Sequence, residues 1–169
     1  MRRIEVRRAD EQDGAFLLDM LYDALFLPPG RNACPRSVLE HPAVARYAAD
    51  FPSHRGDLGF IATASGDRVG AAWARLLTGD NRGFGHVDDD TPELTIAVRH
   101  DQRNRGIGRT LLRTLIAASP RLSLSVDGRN AAVRLYTSLG FVVVGHLGNS
   151  FTMLRAPGWP AGSEAPGRP

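Results

Sequence analysis

The sequence predicts an α/β fold in which short strands alternate with amphipathic helices, and three stretches carry that prediction. Residues 94–98 form a short apolar run with strand character. A polar turn holding Gly106 and Gly108 follows, and then Ile107, Leu111 and Leu115 recur at four-residue intervals, the pattern of a helix burying one face. Leu122, Leu124 and Val126 alternate with Ser123 and Ser125, the period of a half-buried strand. Residues 59–64 and 69–77 flank Ser65-Gly66-Asp67-Arg68, which reads as a hairpin with a short turn.

The remaining elements follow in order. Ile4 and Val6 alternate with charged neighbours and give a first strand. Asp10 caps a helix whose first turn carries Glu11 and Asp13, where negative charge suits the dipole. Phe16, Leu17, Met20, Leu21, Ala24 and Leu25 make its apolar face, and Pro28-Pro29-Gly30 ends it. Ser37-x-x-Glu40 matches a capping box, but Pro42 moves the next helix start one turn on, to residues 42–49. A Gly- and Asp-rich loop spans 78–92 and ends in Asp88-Asp89-Asp90-Thr91-Pro92. The helix after the glycine turn runs to Ser119 and stops at Pro120. Asn130 caps a helix that Gly140 ends, and residues 141–144 and 150–154 close a final hairpin. Residues 1–155 thus read as one domain, followed by a Pro- and Gly-rich tail, 156–169, that lacks the apolar residues to build a core.

Composition narrows the function classes. The 169 residues are 43% hydrophobic, ordinary for a globular domain, and no apolar run reaches membrane-span length. The N-terminus has charges without a following apolar segment, so it does not read as a signal peptide. The single cysteine, Cys34, cannot form an internal disulfide, and the expectation is a cytoplasmic protein without a membrane partner. The net charge of +3 comes with no lysine at all; every basic side chain besides histidine is arginine. So small and dispersed an excess does not make a nucleic-acid face. His41, His54, His86, His100 and His146 show no metal-ligand spacing, so no metal is expected.

The arginines concentrate around the glycine turn, as Arg99, Arg103, Arg105, Arg109 and Arg113. A strand, a basic glycine turn and a helix start make an anion site, because the first amides of a helix lack internal partners and point outward with the positive dipole end. The turn is not a dinucleotide fingerprint, since Leu111 stands at its third glycine position, and it is not a P-loop, which needs lysine. What remains, Arg103-x-x-Gly106-x-Gly108 after a strand, resembles the acyl-CoA signature of the GNAT superfamily of N-acetyltransferases. Downstream, Asn130-Ala131-Ala132-Val133-Arg134-Leu135-Tyr136, ending Leu139-Gly140-Phe141, resembles that superfamily's second signature, with Val133 in place of the usual alanine. The two motifs lie in the expected order and spacing, and the resemblance spans roughly residues 3–155.

The resemblance implies the GNAT (acyl-CoA N-acyltransferase) fold: a mixed, twisted central sheet with helices on both faces, whose parallel strands 93–98 and 121–126 splay. It implies acetyl transfer from acetyl-CoA to a primary amine, on a small molecule or a peptide, by direct attack in a ternary complex; a homodimer is allowed. The alternative is a domain that binds acyl-CoA without transferring it, as a sensor or interaction module. By position, the backbone of Ile96, Ala97 and Val98 pairs with the pantetheine arm, and the amides of Arg103, Asn104, Arg105, Gly106, Ile107, Gly108, Arg109 and Thr110 hold the pyrophosphate. Asn130 hydrogen-bonds the pantetheine or approaches the sulfur, and Val133 joins the cofactor site. Tyr136 stands beside the sulfur, either as the acid for the departing thiolate or as a packing residue. Glu93 is either the base for the amine, directly or through water, or a solvated strand-end carboxylate. The first two helices and their loop form part of the acceptor pocket, for which Tyr22, Phe26 and Tyr47 are candidates; helical aromatics are also ordinary core residues. The Asp88–Asp90 run either attracts a cationic acceptor or is a solvated loop.

Overall fold

The computed structural model describes residues 3–158, so the expected tail lies, from residue 159 on, outside the described residues. Seven strands make one sheet: β1 (Ile4–Arg8), β2 (Leu58–Ala64), β3 (Asp67–Arg75), β4 (Glu93–Val98), β5 (Leu122–Asp127), β6 (Val142–Leu147) and β7 (Ser150–Arg155), in the order β1-β2-β3-β4-β5-β7-β6. All neighbours are antiparallel except β4 and β5, which are parallel and share one registered pair, Glu93 opposite Ser123. Beyond that pair the edge of β4 that faces β5 has no strand partner. The expected splay is therefore present, and it opens in the middle of the sheet.

The helices are α1 (Gly14–Ala24), α2 (Pro42–Ala45), α3 (Ile107–Ala118) and α4 (Ala132–Ser138). Strand periodicity sorts their partners. Leu94, Ile96 and Val98 of β4 pack with Leu122, Leu124 and Val126 of β5 under α3 and α4, where Leu111, Leu115, Tyr136 and Phe141 complete one core. Ala97, Ala71 and Trp73 face the other way, against Phe16, Leu17, Met20 and Leu21 of α1 and Tyr47 and Phe51 from the α2 region. Helices thus cover both faces of a mixed sheet. No described helix is long and apolar enough to cross a membrane.

The N-terminal elements depart in detail from the sequence reading. Asp10 does cap, accepting from the Gln12 amide at 2.9 Å, but it starts a 3-10 turn, Glu11–Asp13, before α1. Asp13 is fully buried and clamped by Arg7 at 2.7 Å, so it ties β1 to α1 instead of serving only the dipole. Ser37 caps nothing; residues Arg36–Glu40 are a 3-10 turn after Pro35. The expected 42–49 helix stops at Ala45, and turns carry the chain on to Ala49. Side chains of β3 hold the turns that follow. Arg75, buried and paired with Asp57 at 2.7 Å, donates to the carbonyls of Arg46 and Ala49, and Trp73 Nε1 donates to that of Tyr47 at 2.7 Å. These carbonyls have no partner inside the short helix, and sheet side chains satisfy them.

Candidate active site

The turn between β4 and α3 is built for an anion. A 3-10 turn, His100–Gln102, leads into Asn104 at φ 61° and Gly106 at φ 80°, both left-handed, and α3 starts at Ile107. Only glycine adopts that conformation without cost, which accounts for Gly106. The Arg103 amide bonds the His100 carbonyl and the Thr110 amide bonds that of Gly106, so the expected cradle of Arg103 to Thr110 narrows at both ends. Among the described residues the amides of Asn104, Arg105, Gly106, Ile107, Gly108 and Arg109 meet no acceptor. The Arg103 guanidinium is turned back, with Nε on the Val98 carbonyl at 3.0 Å, and Arg105 reaches Gln102 at 3.3 Å.

Gly108 differs. A Cβ there would stand between Leu135 of α4 at 3.7 Å and Val98 of β4 at 3.8 Å. These are ordinary contact distances, so packing alone does not demand glycine at 108. Nearby on β4, Ile96 is half-buried beside the unpaired strand edge, while the Ala97 side chain points into the opposite core. Asn130 accepts from the Ala132 amide at 2.9 Å, capping α4 from two residues out, and its side chain also lines the cavity described next. Val133 packs at the edge of the α3–α4 core and its amide bonds the Asn130 carbonyl.

A cavity of about 390 Å³ occupies the split between β4 and β5. It is lined from the α1–α2 side by Leu25, Phe26, Tyr47, Phe84 and Glu93, and from the α4 side by Tyr136, with Ser125 and Asn130 between. The sheet splay thus brings the two catalytic candidates onto walls of one cavity. Tyr22 is elsewhere, its hydroxyl donating to the Cys34 carbonyl at 2.6 Å.

Glu93 is not a solvated strand end. It is 3% exposed. Its Oε1 accepts from the Tyr47 hydroxyl at 2.5 Å and from the Gly85 amide at 2.7 Å, whereas Oε2 is buried without a partner among the described residues. Burial pushes its carboxyl above the ordinary range, and the bonds from Tyr47 and Gly85 oppose that rise. The loop from the 78–92 stretch closes over it. A Cβ on Gly83 would strike Glu93 Oε2 and one on Gly85 would strike the Leu124–Ser125 backbone, so both positions must be glycine for the loop to lie this close. The Phe84 amide between them donates to the Tyr47 oxygen at 2.7 Å. Burial beside the Glu93 charge holds the Tyr47 phenol well above its usual range, so it stays a donor.

Tyr136 is 8% exposed, and its ring meets Phe141 edge-on at 5.9 Å. Burial pushes its phenol up to about 12. Within the Asp88–Asp90 run Asp88 braces the loop, bonding Arg121 at 2.6 Å and Thr91 at 2.7 Å, while Asp89, bonded to His86 at 2.9 Å, and Asp90 are exposed.

The sequence reading missed Tyr47 as the partner of Glu93 and missed the Gly83-Phe84-Gly85 cover. The glycines on either side of one aromatic were the only signal, and their partner lies 46 residues from Tyr47 in sequence.

Comparison with known proteins places this fold. No curated protein matches the sequence. Among solved structures, a putative acetyltransferase from Acinetobacter baylyi superposes with a TM-score of 0.66 at 17% identity, covering 97% of each chain. A putative acetyltransferase from Salmonella typhimurium, solved with its cofactor acetyl-CoA, has a TM-score of 0.61 at 23% identity, covering 96% of this chain and 99% of its own. A ribosomal-protein-alanine N-acetyltransferase from Brucella melitensis has a TM-score of 0.59 at 23% identity, covering 90% and 99%. At such identities the likeness is one of fold. The profile of the acetyltransferase (GNAT) domain matches residues 55–143, which hold both glycine-turn and α4 motifs, and the chain belongs to that family.

Proposed function

We propose that this chain transfers an acetyl group from acetyl-CoA to a primary amine by direct attack in a ternary complex. The observation that carries the reading is the placement of Glu93 and Tyr136 on one cavity, at the split where β4 exposes an unpaired edge leading to the free amides of Asn104 to Arg109. A pyrophosphate suits that turn, because its six successive amides lack acceptors among the described residues and three of them open a helix. The pantetheine arm lies along the unpaired edge of β4, on the backbone of Ile96, Ala97 and Val98, with Gly108 sparing it a side chain.

The bound thioester supplies the activated acyl group; the chain's residues orient it and move protons. The amine must be neutral to attack, and Glu93, on the wall of the cavity, takes its proton directly or through a water. A carboxyl raised by burial is a better match to that task near neutrality than an ordinary one. The amine nitrogen forms the new bond to the acyl carbon as the carbon–sulfur bond breaks. The electron pair leaves on sulfur, which takes the Tyr136 proton. A phenol held at about 12 is fully protonated at neutral pH and ready to donate.

The test is release of free thiol from acetyl-CoA across a panel of primary amines. Amine-dependent release with formation of the N-acetyl product is expected. Tight acetyl-CoA binding without release for any amine would instead make the chain an acyl-CoA-binding module.

A further inference from the structure

The acceptor side of the cavity has a chemical bias. Its wall is apolar: Leu25 and Phe26 beyond the end of α1, Val44, Phe84, and Leu147 across from them. Phe84 is 56% and Leu147 71% exposed, a large apolar exposure for residues bordering one opening. The exposed Phe84 ring stacks nearly parallel to the buried Tyr47 ring, 13° apart with centroids at 6.4 Å, and so offers an aromatic surface close to Glu93. Such a surface receives a flat apolar group, or an ammonium on its face.

Negative charge is confined to one point. The only carboxylates lining the cavity among the described residues are Glu93 and Asp127, and Asp127 is held by the Arg129 guanidinium at 2.7 and 2.9 Å. Asp88 and Asp89 are turned to Arg121 and His86 and do not line it. A second cationic group on the acceptor would therefore find no free carboxylate, and only an aromatic face, a weak attraction at an exposed site, against its desolvation cost. The volume of about 390 Å³ is in the range of small-molecule sites.

From these features we infer that the acceptor is a primary amine with an apolar, aromatic-compatible tail and no second cation, its nitrogen at Glu93 and its tail against Phe84. This rests on the acetyltransferase reading above. The specificity-determining residue is Phe84, which lies outside the proton-transfer chemistry and whose exposed ring can be cut back without opening the core.

The experiment is calorimetry of 2-phenylethylamine and of spermidine into the protein saturated with coenzyme A, where no transfer occurs. The aromatic amine is expected to bind at least ~10-fold more tightly than spermidine, about 1.4 kcal/mol. Phe84→Ala should weaken it at least ~5-fold with an unchanged melting temperature, and Phe84→Glu should narrow or reverse the preference. Spermidine binding as tightly as the aromatic amine, or an affinity indifferent to Phe84→Ala, overturns the inference. Thiol release from acetyl-CoA with the same two amines separates the two claims. Aromatic-amine binding without release sinks the transfer reading and supports the subsite. Release that is faster with spermidine sinks the subsite and leaves transfer standing.

Discussion

Tyr47 donates its hydroxyl proton to Glu93 Oε1 at 2.5 Å and accepts the Phe84 amide at 2.7 Å, so one phenol fixes both the carboxylate and the loop that covers it. That phenol is itself fixed from behind, by Trp73 on its own carbonyl and by Arg75 on the carbonyls of Arg46 and Ala49. Position and acidity of Glu93 are therefore coupled to one residue of the α2 region.

Tyr47→Phe tests that coupling. The hydroxyl stabilises the charged form of Glu93 and partly offsets the upward push of burial. Removing it raises the carboxyl further. A hydrogen bond to a charged group is worth about 1.5–3 kcal/mol, or roughly one to two pH units. The acid limb of the pH–rate profile should move up by about that much, with turnover recovering at high pH and acetyl-CoA affinity unchanged. A uniform loss at every pH with no displaced limb would show Tyr47 to be structural only.

Glu93→Gln should stabilise the fold while impairing catalysis. The folded carboxyl is raised above its unfolded value, so its contribution to stability is full below the ordinary glutamate range near ~4.3 and is lost as pH rises through the raised value. Glutamine makes a similar shape without that loss. The melting-temperature advantage of the variant should be near zero at about pH 4 and grow towards pH 8, at roughly 2–4 °C per kcal/mol. The activity deficit should grow over the same range as wild-type Glu93 ionises, and shrink only at higher pH, where the amine loses its proton unaided. A melting-temperature difference that is flat with pH would contradict ionisation of Glu93 in its buried site.

Tyr136→Phe removes one hydroxyl and should lower turnover by ~10²–10⁴-fold, the range for a positioned acid, with acetyl-CoA affinity nearly unchanged. Because burial holds this phenol at about 12, the wild-type rate should stay level well past pH 10 before any alkaline fall. Wild-type turnover in the variant across the whole profile refutes the acid role.

The two turn glycines should fail differently. Gly106→Ala places a Cβ on a left-handed residue and should cost about 1–2 kcal/mol of stability, visible in denaturant unfolding. Gly108→Val meets no backbone conflict in the fold, its Cβ being 3.7 Å from Leu135. It should leave unfolding nearly unchanged and weaken acetyl-CoA binding more than ~10-fold by calorimetry. Equal acetyl-CoA affinity in Gly108→Val and wild type removes this glycine from the site.

The sequence by itself determined the family, the strand–turn–helix cradle and the identities of Glu93 and Tyr136 as candidates, because each rests on local spacing. Glycine placement at 106 and 108, four-residue recurrence at 107, 111 and 115, and the run from Asn130 to Phe141 act within one or two neighbouring elements. What only the tertiary structure decided was what those residues touch. The burial of Glu93 follows from a loop whose glycines pass against it and from a tyrosine 46 positions away, and neither contact has a local sequence period. The same holds for the turns after α2, where Arg75 and Trp73, on a distant strand, hold the carbonyls of Arg46, Tyr47 and Ala49. Such long-range hydrogen bonds leave no trace in local sequence spacing, yet they are needed because an unmet buried polar atom is costly.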